Sequence, residues 1–132
     1  MHTRNQLVLW ALKITAAVIM LQTLYFKFSA HPEAVYIFTQ LGMEPWGRIG
    51  TGVMELMASL LILIPRTTWL GAIMGFGLMA GAIFFHLTKL GIEVYDDDGR
   101  LFTMAVAVFI ISAILIWINR HKIPVLGKLI FS

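Results

Sequence analysis

Four apolar runs, at about 6–26, 47–64, 69–87 and 101–118, take up most of this chain's 132 residues and decide what it can become. Each is close to the roughly 20 residues that an α-helix needs to cross the hydrocarbon of a bilayer. Backbone inside hydrocarbon must satisfy its own hydrogen bonds, which only helices and closed barrels achieve. The runs are continuously apolar, not alternating, and this disfavours a barrel. The expectation is an all-α, polytopic membrane protein. Its four transmembrane helices would form one antiparallel bundle over residues 1–132, with no length left for a separate soluble unit.

Charge supports that class. Only 13% of the residues are charged and 59% are hydrophobic, whereas a soluble domain carries about one-quarter charged residues. The net charge of +3 comes from Lys and Arg scattered over short connections and the C-terminal tail. That pattern suits contact with anionic lipid headgroups, so the expected partner is the bilayer and not a nucleic acid. With no cysteine, thiolate chemistry, Cys-ligated zinc and iron–sulfur clusters are excluded.

The first run follows Arg4 and could pass for a signal peptide, but no small-x-small cleavage site comes after it. It reads as a retained span. The longest connection, 29–46, holds Pro32 and Glu33 at a helix start and Gly42 at a stop. Val35, Phe38 and Leu41 recur at spacing three, so a short interfacial helix is expected between the first and second spans. Pro65-Arg66 closes the second span. The third carries Gly71/Gly75 and Gly77/Gly81, two small-xxx-small pairs that would let another helix come close. Gly75-x-Gly77 lacks the preceding strand of a dinucleotide fingerprint. Asp96, Asp97 and Asp98 are adjacent rather than alternate, which suits a solvated loop and not an EF-hand. The 125–132 segment is a small apolar patch suited to the membrane surface.

Orientation rests on the Lys and Arg of the connections. Arg4, Arg66, Arg120, Lys122 and Lys128 fall on one side, against Lys27, Arg48, Lys89 and Arg100 on the other. The expectation is an integral protein of the bacterial inner (plasma) membrane with both termini cytoplasmic.

One residue breaks the second apolar run. Glu55 lies about 12 Å from the outer end at 1.5 Å of rise per residue, where a bare carboxylate costs roughly 3 kcal/mol. Gln22 and His86 come to about 8 and 5 Å on the same scale. Thr51 is one turn above Glu55, while Lys27 and Thr103 lie near the outer rim. The six therefore converge on the outer half of the bundle. They would form a ligand-binding or proton-linked pocket, or else Glu55 pairs with Lys27 or His86 simply to lock the helices. His86 is shallow enough to be wet. Lys13, on the helix face opposite Gln22, would snorkel to the cytoplasmic side.

Short motifs carry a resemblance across nearly the whole chain. They are Tyr25-Phe26-Lys27-Phe28, Leu41-Gly42-Met43-Glu44-Pro45, Gly52-Val53-Met54-Glu55, His86-Leu87-Thr88-x-Leu90-Gly91-Ile92 and Asp98-Gly99-x-Leu101-Phe102-x-Met104-Ala105. In this order they resemble the DoxX-like membrane proteins. The resemblance implies a four-helix membrane bundle and marks Glu55, His86 and Asp98 as family-pattern positions without giving them roles. It also implies an association with quinol oxidase, thiosulfate:quinone oxidoreductase and oxidative-stress complexes, and in distant relatives with receptor assembly.

Two functions from different classes follow. In one, the chain is a redox-associated subunit holding a quinone or similar lipophile against Glu55 and His86. Glu55 would exchange a proton and His86 would hydrogen-bond a carbonyl oxygen. The sequence shows no flavin, haem or iron–sulfur motif, so no cofactor is evident beyond that quinone, and any electron carrier would belong to a membrane redox partner. In the other, it is a non-enzymatic assembly factor, structural subunit or small-solute passage, using its glycine faces for partners or for a homo-oligomer.

Overall fold

A computed structural model describes residues 2–91 and 99–120, with side chains from Asn5 onward. The Asp96–Asp98 run and the 125–132 patch lie outside the described residues. The described chain is helical: α1 (His2–Phe28), α2 (Pro32–Gln40), α3 (Trp46–Leu63), α4 (Thr68–Phe85) and α5 (Arg100–Ile118), with no strand among the described residues. A 3₁₀ turn, Pro65–Thr67, joins α3 to α4, and a π-helical turn, His86–Leu90, extends α4. Four of the helical stretches are long and apolar enough to cross a membrane: Asn5–Phe28, Trp46–Leu63, Pro65–Leu90 and Arg100–Ile118.

Local chemistry sets the boundaries. Pro32 occupies the first turn of α2, and the His31 ring nitrogen Nδ1 accepts from the Glu33 backbone N–H at 3.2 Å. Gly42, at φ +73°, turns the chain out of α2 in a conformation that side chains resist. At the other end of α3, Pro65 stops the helix and leaves carbonyls without partners. Thr67 Oγ1 donates to the Leu61 carbonyl at 2.9 Å and Thr68 Oγ1 to that of Ile62 at 2.8 Å, which fills that need.

Helix α1 packs on α3 and α5, and α4 packs on the same two, so the four long helices close a ring. Its interior holds Ala16, Met20, Ala58, Ile62, Ala72, Met79, Val108 and Leu115. Large apolar side chains such as Leu7, Val18, Leu60, Ile110 and Trp117 point outward. Helix α2 touches α1, α3 and the 86–90 turn, and so lies across one end of the ring.

Three expectations change here. First, the two glycine pairs of α4 differ. A Cβ on Gly71 would sit 2.6 Å from the Ile62 nitrogen and 2.7 Å from the Ala58 carbonyl oxygen, so Gly71 is where α4 touches the α3 backbone. Gly75 faces Ser112 and Met20. Gly77 and Gly81 have nothing within 4 Å and open a space instead of closing one. Second, the inward stripe of α2 is Ala34, Ile37, Phe38 and Leu41, displaced by one residue from Val35 because that face meets the ring. Third, Lys13 is only 3% exposed, with its ammonium 4.4 Å from the Trp10 ring centroid. A cation held on an indole face is attracted by the ring quadrupole, and that contact replaces the expected snorkelling.

Candidate functional site

The space opened by Gly77 and Gly81 belongs to a cavity of about 310 Å³. Its walls come from α1, α3, α4 and α5, and α2 supplies Ala34, Ile37 and Phe38. The lining is mostly apolar, with Met20, Met79, Met104 and Phe85 among it. That is the composition of a small-molecule site: apolar walls with a few placed polar groups.

Glu55 is the most buried of those groups, at 1% exposed. Both its oxygens are engaged. Lys27 Nζ lies 2.6 Å from Oε1, and Thr23 Oγ1 donates to Oε2 at 2.6 Å. Thr23 and Lys27 are one turn apart on α1, so a single helix face presents both donors to the acid on α3. The pair is neutral as a unit, which removes the cost of an isolated charge at this depth. A second set of contacts holds Lys27 in place. Arg48 Nη1 donates to the Lys27 carbonyl at 2.5 Å, capping the last turn of α1, while Arg48 Nε donates to Glu44 at 2.9 Å. Arg48 is itself buried.

His86 enters from α4. It is 3% exposed, which corrects the expectation of a wet interfacial histidine. Nδ1 lies 2.8 Å from the Ala82 carbonyl oxygen, and the ring centroid is 5.6 Å from that of Phe102. Nε2 is buried without a hydrogen-bond partner. It stands on the first residue of the π-helical turn, a wider turn that recurs at functional positions of helices. Near Glu33, which also lines the cavity, Arg100 Nη2 approaches Oε2 at 3.9 Å and ties the start of α5 to α2.

Of the six residues singled out in the sequence, Glu55, His86, Gln22, Lys27 and Thr51 line the cavity. Thr103 does not. It is exposed, and its Oγ1 donates back to the Gly99 carbonyl at 2.8 Å, one turn earlier on its own helix. Of the two partners considered for Glu55, the geometry selects Lys27, since His86 bonds Ala82. Sequence reasoning missed Thr23 and Arg48. The spacing of Thr23 from Lys27 was a readable signal, because residues four apart share a helix face. The spacing of Arg48 from Glu44 was readable in the same way, but its bond to the Lys27 carbonyl carried no signal, for it depends on how α1 meets α3. Among the described residues, no group of three His, Asp or Glu side chains converges as a metal site.

A family model, described as the DoxX-like family, matches residues 11–115. No curated protein and no solved structure matches the chain.

Proposed function

This chain belongs to the DoxX-like family, and from that premise we propose that it is a redox-associated membrane subunit whose cavity receives a neutral, quinone-like lipophile. The observation that carries this reading is the apolar cavity of about 310 Å³ lined by His86, a residue whose Nε2 is buried without a hydrogen-bond partner. A buried polar atom without a partner is rare in a folded protein and marks a place where a ligand or water completes the bonding. Lys27 offers the second polar contact, since its ammonium has hydrogens beyond the one directed at Glu55. Glu55 acts through Lys27: it keeps the ammonium in place, and a ligand would have to displace Lys27 or Thr23 to exchange a proton with it directly. Electrons, on this reading, come from or go to a partner protein.

The four spans form an antiparallel bundle in the bacterial inner membrane with both termini cytoplasmic, and α2 lies at the outer interface over the cavity mouth. The alternative, a bundle that presents its glycine faces to partners, has less to stand on. Gly71 and Gly75 already face helices of the same chain, and the inward stripe of α2 lines the cavity. The test is native mass spectrometry of protein purified from native membrane in mild detergent. The reading expects a neutral lipophile retained at one copy per chain. Protein that carries no quinone and binds none when it is supplied would refute it.

A further inference from the structure

Resting on the cavity reading above, we infer that the cavity is loaded sideways from the bilayer, through a slot between α1 and α5, with Gln22 at the deep edge of that slot. The ligand this route serves is an uncharged amphiphile already dissolved in the membrane, not a solute taken from water. Of the four helix contacts that close the ring, the one between α1 and α5 is the loosest. Ala16, Val108 and Leu115 of these two helices are fully buried in the core. Nearer the end of α1 and the start of α5, the same helices line the cavity instead, with Ile19, Gln22 and Phe26 on α1 and Leu101 and Met104 on α5.

A residue that lines a cavity and is also exposed marks where the cavity reaches the surface. Gln22, His31, Gly77 and Arg100 meet both conditions. All but Gly77 lie along the α1–α5 edge, since His31 follows the end of α1 and Arg100 begins α5. In a helix that ends at Phe28, Gln22 lies about 9 Å inward at 1.5 Å of rise per residue. The opening therefore runs from headgroup level into the hydrocarbon. Its chemistry changes in the same order: His31 and the Glu33–Arg100 pair, then the Gln22 amide, then apolar wall. An amphiphile standing in the bilayer matches that order without leaving the membrane. The charged lining groups are paired, Lys27 with Glu55 and Arg100 with Glu33, which suits an uncharged head. Gln22 makes no side-chain hydrogen bond among the described residues. A free amide against acyl chains is costly, and polar side chains within spans mark the paths that ligands take. By comparison the end under α2 is shut, with Ala34 and Phe38 buried in the cavity wall.

A dodecyl alcohol carrying a diazirine, mixed with the full chain in lipid nanodiscs and fixed by a light flash at increasing delays, measures entry. It should label peptides containing Met79 or Met104 saturably. A sulfonated, water-soluble diazirine should not reach them. Gln22→Trp puts bulk into the slot and should slow the labelling about tenfold while leaving its final extent unchanged. Val18→Trp adds the same bulk one turn away, on an exposed residue outside the cavity, and should not slow it. Entry into Gln22→Trp protein at the unaltered rate means another way in, the side beside Gly77 included, and overturns the inference while the cavity reading stands. So does labelling by the sulfonated reagent as fast as by the alcohol, a comparison that needs no variant to fold. An unaltered chain that neither reagent labels at those peptides overturns both.

Discussion

The ammonium of Lys27 lies 2.6 Å from Glu55 Oε1, between side chains 15% and 1% exposed, so two charges that would be costly alone are neutral together. Removing one partner leaves the other buried and unpaired. Lys27→Met is expected to lower stability by about 3–5 kcal/mol, and Glu55→Gln by a similar amount. The double variant Lys27→Met/Glu55→Gln should cost less than either single change, as no net charge remains inside. Unfolding in detergent, with the four proteins compared as a cycle, checks this. Additive losses would mean that the two residues do not act as a pair.

Thr23→Val keeps the shape of the side chain and removes the hydroxyl that donates to Glu55 Oε2 at 2.6 Å. A hydrogen bond to a charged acceptor contributes about 1.5–3 kcal/mol, and a loss of that order is expected. Thr103→Val is the control, because the Thr103 hydroxyl donates to the nearby Gly99 carbonyl and the residue does not line the cavity. It should leave both stability and ligand binding near the starting values.

The glycines of α4 give opposite expectations. Gly71→Ala forces a methyl against α3 backbone at 2.6 and 2.7 Å, which no side-chain rotation relieves. A loss of about 1–3 kcal/mol should appear in the same unfolding assay. Gly81→Ala meets nothing within 4 Å and replaces a weak helix former, so stability should hold or rise by up to about 1 kcal/mol. If the two changes cost the same, the division of labour along α4 is wrong.

Topology is open to a direct reading. Reporter fusions after Ile118 and within the α3–α4 turn should both report the cytoplasmic side. A fusion between α1 and α2 should report the opposite side. A periplasmic signal from the first two would invert the orientation and place the cavity mouth at the cytoplasmic face.

The four spans were legible because hydrocarbon leaves so few options, and their ends fell within a few residues of the prolines and glycines that set them. Position along each helix was legible too, which is why Lys27, Glu55 and His86 could be brought to the same half of the bundle from the sequence, and all three line one cavity. Rotation was not. Gly71/Gly75 and Gly77/Gly81 have the same spacing, and only the packing of α3 and α5 decides which pair touches a neighbour. The same limit hid Arg48, whose bond to the Lys27 carbonyl requires knowing how α1 and α3 meet. It also hid Lys13, whose ammonium turned to Trp10 instead of the interface. Thr103 failed for a local reason: its Oγ1 donates back to the Gly99 carbonyl, four residues earlier, at the start of α5.

The central claim is that a lipophile occupies the cavity among α1, α3, α4 and α5, and photolabelling in the membrane tests it most directly. A quinone carrying a photoreactive azide, irradiated with the protein in native membrane, should attach saturably to peptides containing Met20, Phe38, Met79 or Met104. An excess of unlabelled quinol should compete it away. Unsaturable labelling confined to outward residues such as Leu7, Val18 and Trp117 would show the label reaching the protein only from bulk lipid, and would contradict the account.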